Sequence, residues 1–204
     1  MATDVEPERT APRPRPSWRH LLLLAGVAVV AYGLDLLTKT IVVETLPLHE
    51  RNEILGEFLI FQHVENPGAA FSLAEGMTWV FTIIATAVVV LIVVFSRRIR
   101  HIGWAVLFGM LLGGVLGNLT DRLFRDPGFG VGHVVDFIYT PWMLPAIYNV
   151  ADIFVVSSLG LFILLTVLSV NLDGTRPPKR VKGERADAAT ADEDESPSAD
   201  GGAR

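Results

Sequence analysis

The chain has 204 residues, of which 50% are hydrophobic and 19% charged, and its formal net charge is −5. The apolar residues are gathered into long uncharged runs, which is typical of a protein that crosses a membrane several times. The absence of cysteine excludes a thiol nucleophile, a disulfide framework and thiolate metal ligands. The net charge carries little information, because an acidic tail and basic membrane flanks offset each other.

The amino-terminal segment, residues 1–19, is rich in proline, arginine and acids and has no apolar period. We expect a disordered arm whose basic end lies at the cytoplasmic face of the membrane. A first membrane span begins at His20, and Asp35 and Lys39 lie near its far end. A cleaved signal peptide is the competing interpretation. We favour a span, because no small-residue cleavage site follows the apolar run.

The segment between the first two spans, Thr40 to Gly76, is acidic, and Arg51 is its only basic residue. Within it, Phe58 to Val64 is aromatic and β-branched and is followed by the turn sequence Asn66-Pro67-Gly68. We therefore predict an outer loop that contains one or two short strands lying on the membrane.

Three further apolar runs predict the remaining spans, at Met77 to Phe95, Ile102 to Thr120 and about Ala146 to Val170. The first two are uncharged, and the last carries Asp152 near its start. Basic residues are concentrated in the arm, in the loop between the second and third spans, and at the start of the tail, residues 171–204. Both termini should therefore lie inside, and the rest of the tail should be disordered and cytoplasmic. The predicted fold is an all-α polytopic membrane protein, with four transmembrane helices and a small extracytoplasmic β-containing segment between helices 1 and 2.

This topology brings polar side chains together in one layer near the outer leaflet. The members of the layer at the ends of spans are Asp35, Lys39, Asn118, Asp121, Arg122, Asn149 and Asp152. Asp35 and Lys39 are four residues apart, and we favour a structural ion pair between them. For the adjacent Asp121 and Arg122, a satisfied interfacial pair and a role in a site are equally open.

The third span also carries Gly109, Gly113 and Gly117 at four-residue intervals. Such a stripe removes side chains from one helix face, so another helix can approach closely. Asn118, Asp121 and Arg122 share a helix face beside this stripe. We interpret the glycines as packing residues rather than as substrate contacts.

Asp136 and Asp152 are the strongest candidates for chemistry. They lie near the two ends of an apolar segment, Val134 to Asp152, that is broken by two prolines. Carboxylates near membrane depth are costly, and neither acid has an adjacent cation in the sequence. Two close carboxyls that share one proton around a water can act as general base and general acid without a covalent intermediate.

Five blocks, in this order along the chain, resemble those of the lipoprotein signal peptidases, or signal peptidase II. They are D-L-L-T-K (Asp35 to Lys39), N-P-G-A-A-F (Asn66 to Phe71), G-G-V-L-G-N-L-T-D-R (Gly113 to Arg122), V-V-D-F (Val134 to Phe137) and Y-N-V-A-D (Tyr148 to Asp152). The resemblance covers roughly Leu21 to Val170. Tyr148 stands where phenylalanine is more usual, and the segment Phe124 to His133 is longer than common, which bears on the second outer loop and not on the acids.

The resemblance implies an intramembrane aspartic endopeptidase of the bacterial plasma membrane. Such an enzyme removes the signal peptide from diacylglyceryl-modified prolipoproteins and cleaves just before the lipidated cysteine. The family pattern makes Asp136 and Asp152 catalytic, and it assigns substrate binding or support of the acids to Asn66, Asn118, Arg122 and Asn149. Asp35, Lys39 and Asp121 are then structural polar residues. We expect no cofactor, no metal and no nucleic-acid partner, and a monomer that contacts membrane lipids and lipidated prolipoproteins.

Three other functions remain as alternatives. A metal-dependent lipid-headgroup transferase would need three or more carboxylates at short spacing on one helix, which the sequence lacks. A transporter or channel would use a polar path across the membrane, but the polar layer does not extend to the inner side. A Ser/Lys peptidase would have to join Lys39 to Ser72 across a loop. The histidines lack ligand spacing and are not assigned to a metal: His20, His49, His63, His101 and His133.

Overall fold

The computed structural model of the protein describes residues 18–68 and 77–173. Most of the predicted arm and tail, and the segment that contains Ser72, lie outside these residues. Within them, four helices are long and apolar enough to cross a membrane, as predicted. The helices are α1 (Trp18–Thr45), α2 (Thr78–Phe95), α3 (Ile102–Phe124) and α4 (Val150–Val167), with a short 3-10 helix (Ser96–Arg98) after α2.

The central helix is α3, which packs against each of the other three. Its glycines allow this, because a Cβ at Gly113 would lie 2.6 Å from the carbonyl oxygen of Ala28 in α1. A Cβ at Gly114 would lie equally close, 2.6 Å, to the carbonyl oxygen of Ala151 in α4. The close packing predicted for the glycine stripe is therefore confirmed, and Gly114 extends it to a second partner helix.

The loops at one end of the bundle form a four-stranded antiparallel sheet in the order β1-β2-β3-β4. The strands are β1 (Arg51–Glu53), β2 (Ile60–Asn66), β3 (Val134–Tyr139) and β4 (Ile147–Tyr148). The strand expected in the first loop is confirmed as β2, two residues farther along the chain. The sheet is larger than predicted, because the second loop contributes β3 and β4.

Several helix ends differ from the predicted spans. α1 begins at Trp18 and continues to Thr45, so the outer loop starts later than the predicted Thr40, and α4 ends at Val167. Two other differences have local reasons. α3 continues past Thr120 to Phe124, since the charged Asp121 and Arg122 are buried against neighbouring elements. α4 begins at Val150, later than predicted, because the residues before it are extended and pair with β3.

Apolar packing differs between the two ends of the bundle. At the end remote from the sheet, one buried cluster joins α1, α3 and α4: Leu24, Ile99, Trp104, Ala105, Leu107, Leu165 and Val170. A second cluster lies between α1 and the sheet: Val42, Leu46, Val135 and Phe137. Many other apolar side chains on the helices are exposed, as expected for surfaces that face lipid.

Candidate active site

Asp136 is held by a hydrogen-bond donor on each carboxyl oxygen. It lies on β3 and is only 3% exposed. The side-chain amide of Asn66, at the end of β2, donates to Oδ2 at 2.8 Å, and the amide of Asn149 donates to Oδ1 at 2.6 Å. Burial raises the pKa of Asp136 to about 6; the Asn66 hydrogen bond opposes this effect and the negative charge of Asp152 adds to it. This carboxyl therefore holds a proton at a pH where an ordinary aspartate has lost it.

Asp152 lies in the first turn of α4 and is oriented by the cap of that helix. Asn149 is the N-cap, and its Oδ1 accepts from the backbone N of Asp152 at 3.0 Å. Asp152 Oδ2 accepts in return from the backbone N of Asn149 at 3.2 Å. Its Oδ1 accepts from the amide of Asn118 at 2.9 Å. The start of the helix and the orientation of the carboxylate are thus fixed by the same reciprocal bonds.

Asn149 joins the two acids. The side chain is fully buried, and its Nδ2 also lies 3.1 Å from Asn118 Oδ1 and 3.3 Å from the carbonyl oxygen of Val135. Its amide donates to Asp136, while its backbone N and Oδ1 bond to Asp152. One side chain therefore sets the relative placement of the strand acid and the helix acid.

Both acids line one cavity of about 640 Å³. The rest of its wall is mostly apolar and comes from the second loop and from α4: Met143, Leu144, Ala146, Ile147, Tyr148, Ile153, Val155 and Val156, with Asn66 and Ser157. A large apolar cavity with a few convergent polar groups is typical of a site for an organic substrate.

Lys39 lies beside the acids, in a buried polar cluster between α1 and α3. Its Nζ is 2.8 Å from Asp35 Oδ2, Asp121 Oδ2 and Asn118 Oδ1, and its side chain is fully buried. These three acceptors match the three protons of an ammonium group. The expected ion pair of Asp35 and Lys39 is confirmed. Asp35 Oδ1 also accepts from the backbone N of Ala151 at 2.8 Å, which ties α1 to the start of α4.

Asp121 and Arg122 do not form the pair that their adjacency suggested. Asp121 bonds to Lys39 and Arg125, and it accepts from the backbone N of Val135 at 3.2 Å. Adjacent residues point in different directions on a helix, so Arg122 faces elsewhere. Its guanidinium lies 5.3 Å from the ring centroid of Phe81. The interpretation as a satisfied interfacial pair is therefore wrong.

The turn Asn66-Pro67-Gly68 is held by Arg122, a predicted site residue, and by Thr78 and Phe81, which were not predicted from the sequence. The carbonyl oxygen of Pro67 accepts from Thr78 Oγ1 at 2.9 Å and from Arg122 at 3.5 Å. Gly68 has a φ of +90°, and a Cβ there would lie 2.8 Å from the Phe81 ring. Its backbone N donates to Asn66 Oδ1 at 2.8 Å, which turns the amide nitrogen of Asn66 toward Asp136. In the sequence, the Asn-Pro-Gly motif indicated a turn at this position, but not the residues that hold it.

The acidic and histidine side chains of residues 18–68 and 77–173 form no group of three or more that could hold a metal ion. Asp35 and Asp121 are instead bonded to Lys39. His63 is buried on β2, where its Nδ1 lies 2.9 Å from the carbonyl oxygen of Leu46.

The pattern of the family described as "Signal peptidase (SPase) II" matches residues 27–168 of the chain. The chain belongs to the signal peptidase II family. The resemblance drawn from the five sequence blocks is thereby confirmed, and with it the multi-pass membrane architecture and the assignment as a signal peptidase.

Named relatives agree with this placement in signal peptidase II. The lipoprotein signal peptidase of Leifsonia xyli subsp. xyli is 46% identical over 195 residues, which are 96% of this chain and 87% of the relative. The lipoprotein signal peptidase of Mycobacterium avium is 44% identical over 176 residues, or 86% of this chain and 95% of the relative. The fold is similar to a solved bacterial membrane enzyme, with a TM-score of 0.62 and 25% identity over 78% of this chain and 98% of that chain.

Proposed function

We propose that this signal peptidase II is an intramembrane aspartic endopeptidase that removes the signal peptide from diacylglyceryl-modified prolipoproteins, cleaving just before the lipidated cysteine. Asp136 and Asp152 are its catalytic pair. The observation that carries the proposal is that these two acids line one apolar cavity and are both bonded to Asn149.

The reaction needs one water and one shared proton. Asp152 takes a proton from the water, whose oxygen attacks the carbonyl carbon of the scissile peptide bond. Asp136 carries the shared proton and donates it to the carbonyl oxygen, which gives a neutral tetrahedral intermediate. The proton on Asp152 then passes to the leaving nitrogen as the carbon–nitrogen bond breaks, and a hydroxyl proton of the intermediate returns to Asp136. Burial supports this division of roles, because it favours the protonated form of Asp136.

The cavity wall supports an apolar, membrane-anchored substrate. Ile153 and Val156 continue the wall along α4 from Asp152. A signal-peptide segment can therefore lie along this helix while its cleavage site reaches the acids. The acyl chains of the lipidated cysteine hold the substrate in the same membrane, so the substrate reaches the site by diffusion in two dimensions.

The proposal includes an orientation in the membrane. Arg97 and Arg98 follow α2 at the end of the bundle remote from the sheet, and basic loops remain in the cytoplasm. Both termini then lie in the cytoplasm, and the sheet and the acids lie near the outer leaflet. The peptidase works as a monomer and without a metal, and its domain comprises residues 20–170.

A cleavage assay with purified protein tests the proposal. The substrate is one prolipoprotein in two forms, with and without the diacylglyceryl group on its cysteine. We expect a signal peptide to be released only from the lipidated form, and mass spectrometry should place the new amino terminus at the lipidated cysteine. The Asp152→Asn protein, prepared in the same way, is the control for a contaminating peptidase. Cleavage elsewhere, or equal cleavage of the unmodified form, would contradict the proposal.

A further inference from the structure

The contact between Lys39 and Asn118 fixes the direction of an amide. Lys39 Nζ lies 2.8 Å from Asn118 Oδ1, across the interface of α1 and α3. An ammonium group can only donate hydrogen bonds, so it must face the oxygen of the amide and not its nitrogen. The amide of Asn149, 3.1 Å from the same oxygen, is also a donor and demands the same orientation.

The orientation of the Asn118 amide determines which of its atoms faces Asp152. With its oxygen held by Lys39, Asn118 presents its Nδ2 to Asp152 Oδ1 at 2.9 Å. If the amide turned over, its oxygen would face the carboxylate, and its nitrogen would face the ammonium group. Both contacts would then be between groups of the same kind, two acceptors and two donors, and each would leave a buried polar group without a partner.

We propose that Lys39 is a positioning residue of the catalytic pair, whose ammonium group fixes the Asn118 amide so that its nitrogen holds Asp152 in the reactive orientation. This inference rests on the proposed function of Asp136 and Asp152. Lys39 is not in the wall of the cavity, so it does not touch the substrate. Besides its contact with Asn118, its positive charge opposes the rise that burial causes in the pKa of Asp136.

The geometry goes beyond what an ion-pair cluster requires. Asp35 and Asp121 each form an ion pair with the ammonium group at 2.8 Å, and each also has another partner, the backbone N of Ala151 and the side chain of Arg125 respectively. Nζ also donates a hydrogen bond to Asn118 Oδ1 at 2.8 Å, a contact that neither carboxylate takes part in. A cation that served only to hold α1 against α3 would not need this third bond.

The test is a double-mutant cycle in turnover. kcat and KM for a lipidated prolipoprotein are measured for the wild type, Lys39→Met, Asn118→Leu and the double variant, each per folded molecule. A misplaced reacting group costs on the order of 100-fold in rate, so each single variant should lose about that much kcat with little change in KM. The double variant should lose no more than the worse single variant, because both changes break the same connection.

Two results would overturn the proposal. The first is a double variant whose loss is the product of the two single losses, which would make the residues independent. The second is a Lys39→Met protein that is less stable but turns over normally once folded, which would make Lys39 structural only. Failure of the wild type to cleave the lipidated substrate would instead overturn the proposed function, so the two failures are distinguishable.

Lys39→Met removes a cationic partner from both Asp35 and Asp121 and leaves two buried negative charges. The comparison of turnover with and without Lys39→Met is therefore repeated in a protein in which Asp35 is replaced by asparagine. Asp35→Asn keeps an oxygen for the backbone N of Ala151 and leaves Lys39 bonded to Asp121 and Asn118. We expect Asp35→Asn alone to turn over at nearly the wild-type rate per folded molecule, and Asp35→Asn with Lys39→Met to be about 100-fold slower. Equal rates would overturn the proposal, because Lys39 would then not be needed for alignment. Failure of both Lys39→Met proteins to fold would also count against it and assign Lys39 to stability.

Discussion

The two ends of the helix bundle are held together by different kinds of contact. At the end remote from the sheet, α1, α3 and α4 meet through apolar side chains such as Leu24, Trp104 and Leu165. At the sheet end, the same helices meet through buried hydrogen bonds and ion pairs around Lys39 and Asn149. Apolar packing sets how close two helices come, whereas hydrogen bonds set the direction of individual groups. Chemistry that depends on the placement of two carboxyls therefore belongs at the polar end.

The largest effect should come from the acids themselves. Asp136→Asn or Asp152→Asn should each lower turnover by about 10³-fold or more, because either change removes one of the two proton-handling groups. The amide replacing either carboxyl has the same shape, so the fold should be kept. Its NH2 group faces a donor that the carboxylate had accepted from, so a modest fall in the unfolding temperature is expected. Turnover of the lipidated prolipoprotein and an unfolding curve are measured on the same preparation. An active Asp152→Asn enzyme would rule out the two-carboxyl mechanism.

The spans were predictable from sequence, whereas the sheet was only partly so. A long uncharged run indicates a membrane helix without reference to the rest of the chain. β3 gave no such signal, because Val134 to Phe137 are all buried and show no alternation. Its partner β2 lies in the other loop, and Asn66 and Asp136, which bond across the two strands, are 70 residues apart.

The candidate site was predictable in its members but not in their bonds. The predicted topology placed Asn118, Asn149 and Asp152 in one layer, and the structure brings them together with Asp136. Spacing could not show that Lys39 takes Asn118, 79 residues away, as its third partner. It also left open whether Asp121 and Arg122 form a pair, because adjacency in sequence does not show which partners each side chain meets. The direction in which each amide points depends on partners from other helices and strands, so it could be determined only from the three-dimensional structure.

The second prediction is that the sheet end and the opposite end of the helix bundle lie on opposite sides of the membrane. Cysteine introduced at Glu57, an exposed residue between β1 and β2, should react with an impermeant thiol reagent in intact cells. Cysteine introduced at Arg98, exposed at the opposite end, should react only after the membrane is made permeable. The native chain contains no cysteine, so each protein carries a single label site. The reverse labelling pattern would move the acids to the cytoplasmic leaflet.

The third prediction compares stability at the two ends. Asp35→Asn weakens the partner set of buried Lys39 and should cost about 3 kcal/mol of unfolding free energy. Leu24→Ala opens a cavity in the apolar cluster and should cost a similar amount, about 2 to 5 kcal/mol. Both are measured by unfolding in detergent, with expression level as a second measure. Per folded molecule, both proteins should remain active; a stable but inactive Asp35→Asn protein would show that Asp35 takes part in the reaction.

The smallest effect is expected for the tail. Removal of residues from about Arg185 onward should leave turnover and stability unchanged, because that segment has no apolar period with which to pack against the bundle. The truncated and full-length proteins are compared in the same cleavage assay. A clear loss of turnover would reveal a function of the tail that its composition does not indicate.

The central claim is that Asp136 and Asp152 share a proton around a water, and its most direct test is the pH dependence of kcat/KM in the presence of EDTA. Aspartic chemistry predicts full activity in the chelator. Because burial raises the pKa of Asp136 to about 6, kcat/KM should fall as the pH rises above that value, when the pair loses the proton it must donate. A reaction that stops in EDTA and returns with added Mg²⁺ would contradict the account.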